Sequence, residues 1–284
     1  MNLNSFRNIA AADDSIGFVD GTDLGTPVSL VVAHPGHELL AFGWLARLRP
    51  EVFVVTDGSG LDADARIGAS AKFLEGELGS RSRGSVFGRW TDHELYDALF
   101  EGRFESFIEL RDELADEWFL DGVQTVICDA YERRILMHDI VQLTVSAAVD
   151  AACERGAAIE LVELPIYLGP LDDRPGDSTP VASLTLPDDG LRRKISAARA
   201  YESKVLQEEV VEFLRVRSEE GFRSEVLFRS IRRAANYLEE EPQPAWEAYG
   251  EQLVQQGIYD RVIRLREHVV PLARVLARMP RKTD

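Results

Sequence analysis

Four short apolar runs constrain this chain more than any other feature: VSLVVA at 28–33, VFVVT at 52–56, VQTVIC at 123–128 and IELVEL at 159–164. Each is rich in β-branched residues and largely lacks polar alternation, the pattern of a strand buried on both faces. Helical patterns lie between them. Leu39, Leu40, Phe42, Leu45 and Leu48 cover one broad face of a first helix. Residues 64–78 read as a second helix stopped by Gly79, and 104–120 and 137–153 read as two more. SVFG, at 85–88, reads as a further short strand. Strands alternating with helices at this spacing predict βαβ units and an α/β fold. Its sheet is expected to be Rossmann-like, mainly parallel, with helices on both faces.

The register changes after residue 164. PIYLGPLDDRPGDSTP (165–180) reads as a loop and VASLTL (181–186) as a strand. From Leu191 the pattern is helical almost to the end, with one stretch over Arg192–Glu219 and a last helix from about Tyr259 to Met279. The chain therefore divides into an N-terminal extension (1–27), an α/β core (28–186) and a helical C-terminal region (187–284) packed on that core. Ile263, Leu265, Val269 and Leu272 give the last helix a face for the core or for a second subunit, which leaves a homo-oligomer open; His268 reads as an ordinary helix residue.

Composition narrows the partners. Forty-nine acids against thirty-two bases give a net charge of −17, which speaks against nucleic acid and against anionic membrane surfaces. No stretch approaches the ~18 apolar residues of a membrane span. The N-terminus has one arginine and then acids, without the apolar core of a signal peptide. Cys128 and Cys153 fall in a predicted strand and a predicted helix, where cysteine behaves as a small buried hydrophobe. No disulfide framework is expected, and the expected location is the cytoplasm.

Five histidines occur: His34, His37, His93, His138 and His268. In a parallel sheet, ligands bind beyond the carboxyl ends of the strands, where strand order reverses. His34 and His37 follow the first strand, and His138 follows the strand at 123–128, so all three belong to one rim. Three protein ligands plus water is the usual catalytic zinc arrangement, and such zinc supplies hydroxide near neutral pH. Pro35-Gly36 would force the tight turn that lets His34 and His37 converge. The same spacing is also that of a turn with solvated side chains.

VSLVVAHPGHELLAFGWLARLRPEVFVVTDGSG resembles the opening of the LmbE/PIG-L family of zinc-dependent N-deacetylases, a strand ending in A-H-P-D-D-E, then a helix and a second strand ending in T-D-G. Ala33, His34, Pro35, Glu38, Thr56, Asp57 and Gly58 carry the match. RIGASAKFLEGELG resembles the family helix that begins with Arg and ends with Leu-Gly. DAYERRILMHDIVQLTVSAAV resembles its H-x-D-H segment and the helix after it, and KISAARAYESKV its Lys-to-Tyr helix. The resemblance spans most of residues 28–205, specific at the first motif and looser afterwards.

The resemblance implies zinc held by His34 and His138, with His37 at the position of a ligating aspartate. It puts Gly36 where the family has its general base, Ile135 where a histidine assists, and Met137 where an acid intervenes. Asp92, Asp129 and Glu132 are the replacement bases the sequence offers. Glu38 and Asp139 would support the ligands through hydrogen bonds. Asp57 would do the same or form an Asx turn. Arg66 matches a position near substrate, and His93 could reach the site from its loop. Trp44 and Trp90 suit a sugar face or core packing. The activity implied is metal-dependent hydrolysis that removes an acyl group from an N-acyl amino sugar or glycan precursor. The alternative is a degenerate member that binds a sugar or serves as a scaffold, with or without metal.

Overall fold

The computed structural model describes residues 24–60, 64–76, 83–166, 180–201, 207, 218–230, 233–234 and 243–278. Seven strands form one sheet: β1 (Val28–Val32), β2 (Glu51–Thr56), β3 (Arg83–Trp90), β4 (Thr125–Asp129), β5 (Glu160–Leu164), β6 (Pro180–Thr185) and β7 (Ser224–Arg229). Their order is β3-β2-β1-β4-β5-β7-β6. The pairings among β1 to β5 are parallel, while β7 runs antiparallel to both β5 and β6. The helices are α1 (Phe42–Leu48), α2 (Ile67–Gly76), α3 (Asp92–Glu101), α4 (Glu105–Asp121), α5 (Leu136–Glu154), α6 (Asp188–Ala200), α7 (Ala245–Gln255) and α8 (Val270–Leu276).

The all-apolar runs have the physical reason expected of them: every residue of β1 and β4 is buried. Val31, Phe53, Val126 and Cys128 meet Leu114, Trp118, Leu143 and Leu272 on one face. Leu30, Val32, Val54 and Ile127 meet Phe42, Trp44, Phe73 and Ile195 on the other. Trp44 is thus a core residue, and Trp90 lies beneath the Arg89 guanidinium, 5.1 Å from the ring centroid. Both cysteines are free. Among the described residues no helix is long and apolar enough to cross a membrane.

Three expectations need correction. The last helical stretch begins at Leu265 and not at Tyr259. The chain after 187 is not wholly helical, because SEVLFR forms β7 and inserts between β5 and β6. Its alternation is incomplete and charged residues flank it, so a helical period fits the segment as well as a strand period does. Residue 93 is not in a loop either. Thr91 and Glu94 form a reciprocal capping box that starts α3 at Asp92. Residues 167–179 of the expected loop at 165–180, the N-terminal residues 1–23, most of 202–217 and residues 279–284 lie outside the described residues.

The topology places a rim. From β1 the chain proceeds to β2 and β3 on one side, while β4 and β5 lie on the other. Strand order therefore reverses between β1 and β4, and the loops after both strands open at that point.

Candidate metal centre

The loop after β1 is shaped by its own glycine and glutamate. Gly36 has φ 108° and ψ −24°, a conformation side chains disfavour. Glu38 is fully buried. Its Oε2 accepts the Gly36 N–H at 2.7 Å, and its Oε1 accepts the hydroxyls of Ser70 and Tyr201. Burial and the adjacent Glu38 push the Tyr201 phenol well above its usual range, so it stays a donor. On the other side of the loop, Gly58 (φ 72°) lies so close to Pro35 that an added Cβ would sit 2.8 Å from its ring. The A-H-P and T-D-G stretches are thus one packed unit. Thr56 ties them further, its N–H and Oγ1–H both donating to the Ala33 carbonyl.

These contacts bring three imidazoles together. The ring centroids of His34, His37 and His138 are 5.3, 5.3 and 4.5 Å apart, pair by pair. One nitrogen from each lies within 4.8 Å of the others. His34 Nε2–H donates to Asp92 Oδ1 at 2.9 Å, which makes Nδ1 the nitrogen His34 can offer an ion. His37 Nδ1–H donates to Asp129 Oδ2 at 2.9 Å, which makes Nε2 its offering nitrogen. His138, in the first turn of α5, is almost fully buried. Burial first, and then the neighbouring imidazoles, hold it well below the ordinary imidazole range, so it stands neutral. Three imidazoles, two of them oriented by carboxylates, is the arrangement metal-binding histidines usually have, and it fits zinc.

The acids each have a definite task. Burial alone would raise the Asp92 carboxyl, but the His34 hydrogen bond and charge, the Gly60 N–H and Thr56 together hold it below the usual carboxylate range. Asp129 also accepts the Ala33 N–H at 2.8 Å. Glu132 Oε1 accepts the Ile166 N–H. Asp139 accepts the N–H groups of Glu132 and Arg133 on one oxygen and Trp246 Nε1–H on the other. Despite those donors, burial pushes its carboxyl up to about 7.

The remaining candidates divide. Asp57 makes the Asx turn, accepting Ser59 N–H at 2.9 Å. Glu38 acts on the backbone of the loop and reaches no imidazole. Arg66 is half-buried, its Nε–H donating to the Gly58 carbonyl at 2.7 Å. His93 is exposed on α3 and is not part of the imidazole group. His268 accepts the Arg264 N–H with Nδ1 and packs edge-on against Phe100.

The sequence reading missed several supporting residues. Lys194 and Glu225 form a buried ion pair at 2.7 Å. Glu225 also accepts the N–H groups of Gly43 and Trp44, and Lys194 donates to the Leu40 carbonyl, so the pair fixes the start of α1. Lys194 and Tyr201 lie in the KISAARAYESKV segment, which is their signal. Ser70, Glu225 and Trp246 have no local signal at all.

No protein-family model and no curated protein matches the chain. Solved structures similar to it include the A40926 pseudoaglycone deacetylase Dbv21, at 17% identity over 72% of this chain and 97% of that one, with TM-score 0.47. The conserved protein TT1542 from Thermus thermophilus is similar at 20% identity over 73% and 96%, with TM-score 0.49. GalB, the 4-carboxy-2-hydroxymuconate hydratase from Pseudomonas putida KT2440, is similar at 13% identity over 73% and 98%, with TM-score 0.44.

Proposed function

We propose that this chain is a metal-dependent hydrolase that cleaves the amide of an N-acyl amino sugar or glycan precursor, with zinc held by His34, His37 and His138. The observation that carries the reading is the convergence of one nitrogen from each imidazole within 4.8 Å, at the strand-order reversal where α/β sheets bind ligands. Zinc there supplies a Lewis acid for an amide carbonyl and a nucleophile from water near neutral pH.

The chain's own residues prepare that chemistry. Asp92, kept ionised by His34 and Gly60, orients the His34 ring. His138 stays neutral and needs no deprotonation before it can bind a cation. Arg66, fixed by the Gly58 carbonyl beside Pro35, is our candidate contact for a substrate hydroxyl or carboxylate. The substrate class rests on the sequence motifs, AHPGHE and TDG above all.

Acetate release from N-acetylglucosamine derivatives tests this reading. Release that requires added zinc and stops on chelation supports it; no release from any N-acyl amino sugar by the zinc-loaded chain contradicts it. One observation favours a second reading, a sugar-binding protein without turnover. Both Asp92 oxygens are engaged, Glu132 holds the Ile166 backbone, and Gly36 offers no carboxylate. Saturable binding of the same sugars with no acetate released would favour it.

A further inference from the structure

Asp129 closes β4 with its side chain fully buried. Its Oδ2 takes two donors, the Ala33 N–H and His37 Nδ1–H, while its Oδ1 has no hydrogen-bond partner among the described residues. Among the described residues the His37 imidazole is the one basic group within ion-pair reach of it. Asp92 stands in the same relation to His34. A buried carboxylate without a fixed cation carries a heavy desolvation cost. Two such carboxylates each hold one nitrogen of a ring, and one nitrogen of each of those rings lies within 4.8 Å of one on His138. A divalent cation held by three neutral imidazoles would bring the charge of the ion and both acids to zero.

We propose that Asp129 is a positioning residue for that cation: through His37, it keeps the ring protonated on Nδ1 with Nε2 presented to the ion, and it supplies negative charge that the imidazole lacks. The inference rests on the metal reading above. It goes beyond that reading by assigning the carboxylate at the end of β4 to the ligand rather than to proton transfer with substrate.

Zinc affinity of the full chain, measured by competition with a chromophoric chelator, tests it in wild type, D129N, H37A and the double variant. Asparagine keeps the volume and can still accept the Ala33 N–H, so D129N removes chiefly the charge. D129N is expected to weaken zinc binding by about 10- to 100-fold. In the H37A background the same change should alter affinity by no more than about twofold, because the residue acts through His37. Wild-type affinity in D129N, or an equal loss in both backgrounds, would overturn the proposal. A wild-type chain that binds no zinc overturns the metal reading and this with it; a zinc-binding chain indifferent to D129N overturns this alone. Should D129N fail to fold, nitrogen NMR of the zinc-loaded wild type decides: a His37 proton on Nδ1 supports the proposal, and one on Nε2 overturns it.

Discussion

The loop after β1 and the loop that leads from β4 to His138 at the start of α5 bring three histidines together, yet their shaping residues are placed differently. The first, residues 33–38, carries its shaping residues Gly36 and Glu38 within its own sequence, and Ser70 and Tyr201 complete the shell of Glu38. Gly36 takes the conformation side chains avoid, Pro35 packs on Gly58, and Glu38 gathers its donors around the turn. The second, residues 130–135, is held from outside. Asp139 of α5 accepts two of its N–H groups, and Trp246 reaches Asp139 from more than a hundred residues away. The Ala245 N–H also donates to the Arg133 carbonyl. Both halves draw on distant partners, Tyr201 for the first and Trp246 for the second, but only the first carries its shaping glycine and carboxylate inside the loop itself.

The largest effect expected from breaking this contrast is at Glu38. Glu38→Ala strands the Gly36 N–H and leaves the Ser70 and Tyr201 hydroxyls with only each other, and should cost roughly 3–5 kcal/mol, at about 1–3 kcal/mol per donor that loses its acceptor. Urea denaturation reads it directly. Gly36→Asp would place a carboxylate where the A-H-P-D-D-E motif has one, but it forces a side chain onto φ 108°. It should cost about 1–3 kcal/mol of stability by the same measurement, so any gain in deacetylation would have to appear in a weakened loop.

On the second loop, Trp246→Phe keeps one aromatic ring, removes the indole N–H that donates to Asp139 and gives up some buried volume. The expected loss is about 1–2 kcal/mol. Zinc affinity should fall with it, because the loop precedes His138; unchanged affinity would separate α7 from the site. A further effect is a slope in pH. The Asp139 carboxyl is at about 7 in the fold against 3.8 unperturbed. A raised folded value contributes stability that is fully present below the unfolded value. That contribution is lost as pH rises through the folded one. Wild type should therefore lose this increment between the two values, and Asp139→Asn should flatten the slope in denaturation curves taken across that window.

The same contrast explains what the sequence made legible. The inner strands stood out because burial on both faces removes polar alternation, as in VSLVV. The first motif was readable because its determinants are contiguous. α3 carried a signal that went unread, the Thr91–Glu94 capping box, and with it the placement of Asp92 at a helix start and His93 on an exposed face. β7 was illegible for a different reason: its pairing with β5 and β6 is decided by partners far along the chain, and charges flank its short apolar run. Glu225 pairing with Lys194, and Trp246 reaching Asp139, are tertiary facts of the same kind.

The central claim, that the two loops meet to hold one ion, is tested most directly by metal content per chain in parallel preparations of wild type and His138→Ala. About one zinc per wild-type chain, lost in the variant, is the predicted result. Zinc absent from the wild type, or retained in full by the variant, would contradict the account.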